Sequence, residues 1–593
     1  MSVESLITQH IDIWTSAVQT KSTTGRGTSS KLDLYGIKKL RELILELAVR
    51  GKLVPQDPTD EPASVLLERI AQKKIQLVKE GAIPKTKSLP PIQSDDIPKD
   101  LPLGWEVIRL GNITSKMGSG STPRGGQKAY VEKGIIFLRS QNVWNEGIKL
   151  DDVAYISCDV HEKMSNTRVQ PGDVLLNITG ASLGRTSIFP DEFIEANVNQ
   201  HVTIIRLIEL GMNKFVHIGL MSPMVQKLVW GRQVGMAIEG LSKKVLEQFE
   251  FPIPPLKEQH RIVAKVDELM KLCDQLEQQT EASIAAHQVL VETLLATLTN
   301  SKNAEELMEN WQRISAHFDT LFTTEESIDQ LKQTILQLAV MGKLVPQNPA
   351  DEPASELLKR IAKEKAQLVK EGKIKKQKAL PLITDDEKPF ELPEGWAWCR
   401  VNDLCTTENG DRSKRYPNNS DLVDSGIPFF GAYDISGNKL VFSENLRFIT
   451  EKKFSELSNG KLRHKDFVML LRGSVGKTAQ FESNKEFATG FINAQMLIIR
   501  LVDLSSDNYL NCFFQSKLYW DSINIIKSGA VIQQMPASKV VELLIPVPPL
   551  SEQNKISEKV DELLCVCNLL ISRLRESQST QLHLTDAIVE QVL

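Results

Sequence analysis

The sequence predicts a mixed α/β (α+β) chain with a pseudo-twofold internal repeat, in which two globular modules are separated by long helices that pair as an antiparallel coiled coil. Three observations predict it. A helical segment at 37–105 returns at 328–396. A helix-opening phrase at 251 returns at 545 with a heptad seam behind it. The stretches between are short strand-like runs with Gly, Asn and Asp turns.

The duplicated arm comes first. Residues 37–105 and 328–396 align without a gap, roughly 43 of the 69 positions being identical, far beyond chance self-similarity. LAVRGKLVPQDPTDEPAS from Leu47 returns as LAVMGKLVPQNPADEPAS from Leu338, LVKEG stands at Leu77 and Leu368, and both copies run on to Leu-Pro-x-Gly-Trp at Leu101 and Leu392. Each copy reads as a helical hairpin. One helix stops near Gly51 or Gly342, a Pro-rich turn follows, and a second helix starts at Pro62 or Pro353. Leu66, Leu67, Ile70, Leu77 and Val78 form the apolar face of that second helix.

The long helices follow. FPIPPLKEQHRI from Phe251 matches IPVPPLSEQNKI from Ile545, and each runs into Val-Asp-Glu-Leu. Behind the first, Ile262, Val266, Leu269, Cys273, Leu276, Thr280, Ser283, His287, Leu290 and Leu294 step alternately by four and three. Behind the second, Ile556, Val560, Leu563, Cys567, Leu570, Leu574, Ser577, Gln581, Leu584 and Ile588 do the same. Polar residues interrupt both seams at one register, so the two match each other and are expected to pair antiparallel. Ile262 to Leu294 spans ~48 Å at ~1.5 Å per residue, a rigid spacer.

Composition bounds what else the chain is. Its 593 residues exceed a single domain, and the 41% of hydrophobic residues suffices for several cores. Net charge is −4 and the pI about 6.2, so any nucleic-acid contact has to come from local basic patches. Seven scattered cysteines lack the paired spacing of a zinc site or a disulfide framework. MSVESLITQHIDIW has no basic n-region followed by an apolar stretch, and no run reaches the ~18 apolar residues of a membrane span, so a cytoplasmic location without a membrane partner is expected. KSTTGRGTSSK, residues 21–31, reads as a flexible linker.

The expected segments are 1–36, an N-terminal segment and linker; 37–100, the first arm; 101–255, the first module; 256–327, the central helix and spacer; 328–391, the second arm; 392–549, the second module; and 550–593, the last helix. The modules share a skeleton with diverged sequence. GDVLLNITGASLGRTSIF from Gly172 parallels KDFVMLLRGSVGKTAQF from Lys465, NVNQHVTIIRL from Asn197 parallels FINAQMLIIRL from Phe491, and GMAIEGLSKKVLEQF from Gly235 parallels GAVIQQMPASKVVEL from Gly529.

Two divergent modules in a duplicated helical frame, each closed by PxPPLxEQxxI, resemble the specificity subunits of type I restriction-modification enzymes. The resemblance covers nearly everything from Tyr35 onward. It implies that the modules are target recognition domains, each reading one half of a bipartite site on double-stranded DNA. It further implies that the frame holds two methyltransferase subunits, which methylate adenine with S-adenosylmethionine, and that restriction subunits translocate with ATP and Mg2+. This chain itself would bind no cofactor and catalyse nothing. Its ~100 residues ahead of the first module depart from many family members and point to a long-armed subfamily.

Side-chain chemistry supplies candidate contacts, because Arg and Lys suit guanine edges and phosphates while Asn and Gln suit adenine edges. From Arg109 to Lys149 seven Lys or Arg face two Glu. This patch holds Ser121, Thr122, Arg124, Gln127 and Lys128 in a Gly-rich loop, then Arg139, Gln141 and Asn142. Arg185 follows, then Asn199, Gln200 and His201, for which turn-capping is an equal alternative. The second module offers Arg412, Lys414, Arg415, Tyr433, Arg472, Lys477, Asn493, Gln495, Gln533 and Gln534. For Tyr433 the plain alternative is a half-buried strand aromatic, and for the loops a solvated surface.

Catalytic readings find no support. Gly476-Lys477-Thr478 imitates the end of a phosphate-binding loop, but Leu471 stands where that loop needs glycine, so it and Gly184-Arg185-Thr186 read as tight turns that bring Arg185 and Lys477 near DNA phosphates. The Pro-Pro pairs are followed by Ile92, Leu256 and Leu550, not the aromatic of an adenine methyltransferase tetrapeptide. The histidines form no helical zinc pair. A coiled-coil scaffold whose modules bind proteins is the competing class.

Overall fold

The computed structural model describes residues 3–22, 30–85, 87–93, 100–232, 240–377, 379–529 and 533–593. The chain forms two compact units, Met1–Ser283 with Ser577–Leu593, and Ile284–Glu576. The long helices are Leu256–Asn300 and Leu550–Val592. Each unit therefore takes the beginning of one long helix and the end of the other, as an antiparallel pair requires.

In the first unit the arm is the helix pair Tyr35–Val49 and Ala63–Lys79. Gly51 ends the first helix in the left-handed region at φ 68°, and Pro62 caps the second. Leu66 and Ile70 are buried. Tyr35 donates to Asp586 at 2.7 Å, and Arg41 reaches Asp274 and Glu277 at 2.7 Å each, so one arm helix is tied to residues from both long helices. Burial, with Asp586 second, pushes the Tyr35 hydroxyl up to about 12. The expected linker is structured at both ends: Gln19–Ser22 pairs antiparallel with Ser30–Asp33, and 23–29 lie outside the described residues.

The first module opens and closes on one antiparallel pair, Glu106–Arg109 with Glu250–Ile253. Inside it a four-stranded antiparallel sheet, in spatial order Thr186–Ile188, Val174–Asn177, Val202–Leu207, Thr114–Ser119, adjoins a five-stranded mixed sheet in which Ala196–Val198 runs parallel to Ile135–Leu138. Leu138, Leu175, Phe189, Val198 and Ile204 fill the space between. Two helices, Asn213–Met221 and Pro223–Gly231, pack back on the arm, where Glu46 accepts the Met224 N–H at 2.8 Å.

The second unit repeats the plan. Its arm helices are Glu325–Val340 and Ala354–Lys370, its closing pair is Ala397–Arg400 with Leu544–Val547, and Phe429–Phe430 runs parallel to Phe491–Ile492. Gln337 accepts the Leu518 N–H at 3.1 Å where Glu46 serves Met224. Equivalences persist inside the diverged modules, since Arg206 pairs with buried Asp173 at 2.7 Å and Arg500 with buried Asp466 at 2.6 Å.

The closing phrase explains itself in this setting. Glu258 and Gln259 occupy the first turn of the long helix: Glu258 accepts from the Trp105 indole, and Gln259 donates to the Pro254 carbonyl at 2.9 Å. Glu552 and Gln553 repeat both bonds to Trp396 and Pro548.

The heptad seam holds only in its first half. Ser283 and Leu290 are exposed while Val291 is fully buried, and in the second helix Ser577 and Leu584 are exposed while Thr585 is fully buried. The buried stripe slips by one residue in both helices at the polar interruption. An α-helix turns every ~3.6 residues, and without strong apolar knobs at Ser283 or Ser577 nothing underwinds it to ~3.5. Val291, Leu295 and Leu298 join Ile556, Val560, Cys567 and Ile571 in the second unit's core. By length and composition the first long helix is apolar enough to cross a membrane, yet Ser283, His287, Gln288 and Glu292 interrupt it, so it holds no unbroken run of ~18 apolar residues.

Candidate nucleic-acid interface

In the first module four loops leave the same end of the sheets and are laced together by backbone bonds. Ser121 N–H donates to the Val198 carbonyl at 3.2 Å, Asn199 N–H to Leu138 at 3.0 Å, Ile178 N–H to His201 at 2.9 Å and Leu241 N–H to Ile178 at 2.8 Å, and Thr179 bridges Gly240. Gly120 makes the approach possible: a Cβ there would lie 1.8 Å from the Val198 carbonyl oxygen.

The second module builds the same lacing. Asn493 N–H donates to Phe430 at 3.1 Å, Leu471 N–H to Gln495 at 2.9 Å and Met535 N–H to Leu471 at 2.9 Å, and Arg472 bridges Gln534. At Gly410 a Cβ would lie 2.1 Å from the Asn493 carbonyl oxygen. The pairing makes Thr179 equivalent to Arg472, Gly240 to Gln534, His201 to Gln495 and Gln200 to Ala494. Glu239, which the sequence aligns with Gln533, lies outside the described residues.

This assembly gathers most of the candidates and sorts them by use. Ser121, Thr122, Arg124, Gln127, Lys128, Gln141 and Gln200 are exposed, as are Arg412, Lys414, Arg415, Tyr433, Arg472, Gln495, Gln533 and Gln534. Other candidates serve the fold. Asn142 is 2% exposed; its side chain accepts from Arg139 N–H and donates to the Lys149 carbonyl, both at 3.0 Å. Asn199 and Asn493 cap their turns through His201 N–H at 3.1 Å and Gln495 N–H at 2.9 Å, which is the turn-capping alternative. Arg139 pairs with Asp152 at 3.2 Å, and Gln141 also bonds Asp152. Arg412 Nε donates to the Ala494 carbonyl at 3.2 Å and Arg415 to the Glu456 carbonyl at 3.1 Å.

The turn residues Arg185 and Lys477 are aimed at the neighbouring hairpin. Arg185 lies 3.8 Å and Lys149 4.1 Å from the Trp144 ring centre, while Lys477 donates to the Ile435 carbonyl at 3.0 Å. Gly184 and Gly476 supply the positive φ those turns need. Within the basic stretch Arg109 is buried against Glu250 and donates to the Gln248 carbonyl at 2.6 Å, and Lys116 donates to the Arg168 carbonyl at 3.2 Å. Counting charges along the sequence overstated the patch by these two. Desolvation lowers the Lys116 ammonium below its ordinary range.

Tyr433 is fully exposed at 101%, so its strand-aromatic alternative fails. It lies beyond the strand Ile427–Phe430, in the short 3-10 turn Ala432–Asp434, and stands where Gln141 stands in the 3-10 turn of the first module. Sequence reading missed Trp144 and Thr179. Trp144 carries no motif, and Thr179 is visible only through its alignment with Arg472. Among the described residues no group of His, Cys, Asp and Glu could hold a metal ion.

The type I restriction modification DNA specificity domain matches twice, at residues 102–286 and 393–577. The chain belongs to that family. The specificity subunits of the type I restriction enzymes EcoAI and EcoEI, both from Escherichia coli, are each 42% identical to it, over 605 residues (100% of this chain, 99% of the relative) and 610 residues (100% of both). Two solved structures share 17% identity. One is a chain from the assembly and conformational transition of a type I R-M system, at TM-score 0.47, covering 84% of this chain and 99% of that one. The other is the HsdS subunit from Thermoanaerobacter tengcongensis, at TM-score 0.40, covering 83% and 97%. The family expected from the duplicated frame is the one found, and its two matches each take in one laced loop cluster and the start of one long helix.

Proposed function

We propose that this chain is the sequence-reading subunit of a type I restriction-modification complex, binding a bipartite asymmetric site on double-stranded DNA with one half-site per module. It does no chemistry itself. Two methyltransferase subunits on the helical frame methylate adenine with S-adenosylmethionine, and restriction subunits use ATP and Mg2+, all in the cytoplasm.

The observation that carries this reading is the paired bridge, Thr179 to Gly240 and Arg472 to Gln534. One backbone lacing presents different side chains at matched positions. That is what two heads reading different half-sites require, since base edges are distinguished by donor and acceptor pattern. The full-length relatives named specificity subunits support it.

The test is a selection from randomised duplex DNA by the full chain with its methyltransferase partners. Enrichment of two short sequences at a constant gap is expected. Enrichment of one continuous site, or of none, overturns the reading.

A further inference from the structure

Three loops of the first module meet in a continuous string of side-chain hydrogen bonds. Thr122 Oγ1 bonds Gln200 Oε1, Gln200 Nε2 lies 3.1 Å from His201 Nε2, and His201 Nδ1 lies 2.6 Å from Thr179 Oγ1. The chemistry of each atom fixes its direction. A carboxamide nitrogen only donates, so His201 Nε2 accepts; the imidazole proton is then on Nδ1 and goes to Thr179. The carboxamide oxygen only accepts, so the Thr122 hydroxyl donates to it. His201 is anchored behind this string by its own carbonyl, which accepts from Ile178 N–H at 2.9 Å.

Gln200 is exposed and keeps one N–H and one oxygen lone pair uncommitted by the string, side by side on one planar group. We propose that Gln200 reads an adenine in the half-site of the first module, held in register by Thr122, His201 and Thr179 as positioning residues. Adenine offers an N7 acceptor and an N6 donor in the major groove, which meet that N–H and that lone pair together. Guanine offers two acceptors, thymine an acceptor beside a methyl group, and cytosine a single donor, so none of them satisfies both. The second module has Ala494, Gln495 and Arg472 at the three matched positions, so it reads with other groups. This assignment rests on the DNA-recognition reading above.

The experiment is the same duplex selection with the full chain and its methyltransferase partners, comparing Gln200→Ala, Gln200→Glu, His201→Leu and His201→Gln with the parent. Thermal unfolding of each variant shows that it is folded. Gln200→Ala is expected to lose about tenfold to a hundredfold of adenine preference at one position of one half-site, leaving the other half-site unchanged. Gln200→Glu is expected to shift that position toward cytosine, whose N4 amino group a carboxylate accepts. His201→Leu should weaken the adenine preference, and His201→Gln, which restores an acceptor facing Gln200, should recover part of it.

If the parent enriches no two-part site, the recognition reading itself falls. If the parent does so but Gln200→Ala alters no position, or weakens all sequences alike, the adenine assignment is overturned and the recognition reading stands. An adenine preference untouched by His201→Leu overturns the positioning role.

Discussion

Trp105 donates its indole N–H to Glu258 at 3.1 Å inside the first unit, and both side chains are buried. The bond joins the last residue of the duplicated arm phrase to the first turn of a long helix, and Trp396 with Glu552 repeats it at 3.0 Å in the second unit. Trp105→Phe removes the shorter of the two bonds to this buried oxygen and leaves it the Gln56 amide at 3.3 Å. A loss of about 1–3 kcal/mol in chemical unfolding is expected. Because Trp396 lies in a separate unit, the cost of the double variant should equal the sum of the two singles.

Glu258 also sets a pH dependence. Burial raises its carboxyl above the ordinary range, while the bonds from Gln56 and Trp105 pull the other way. The folded chain thus keeps a proton that the unfolded chain has already released. The stability contributed by this group is full below the unfolded value and lost as pH rises through the folded one. Glu258→Gln cannot titrate. The stability of the parent relative to this variant should therefore rise as pH is lowered from neutral into the carboxylate range, and a difference independent of pH would contradict the assignment.

The slipped seam predicts an inversion of what heptad stepping implies. Val291→Ala, at a fully buried site, should cost on the order of 2 kcal/mol, whereas Leu290→Ala, 49% exposed, should stay within about 0.5 kcal/mol. Thermal unfolding of the two variants checks it.

In the second module Arg472 and Tyr433 should separate binding from folding. Both are exposed, so Arg472→Ala and Tyr433→Ala should leave stability within about 0.5 kcal/mol. Arg472→Ala should cost about 1–3 kcal/mol of base discrimination in one half-site only. An affinity unchanged by Tyr433→Ala would remove that ring from the interface.

The duplicated frame was legible residue by residue. Gly51 and Gly342, Pro62 and Pro353, and the two PxPPLxEQ phrases mark helix ends by local rules, since a left-handed glycine stop or a proline start depends on a few neighbours in the chain. The skeleton shared by the modules was legible too, because buried strands keep their apolar run when the loops change.

The sequence by itself determined the repeat, the helix ends, the apolar faces of the arm helices and the family. Only the tertiary structure decided which polar residues are available. Arg109 and Lys116 are spent on carbonyls far along the chain, Asn142 on its own turn, Tyr433 stands clear of any core, and Gln200 bonds Thr122, 78 residues away. The reason is physical. Hydrogen-bond saturation is set by atoms that meet through the fold, and a side chain's type says what it can bond without saying whether its bonds are already made.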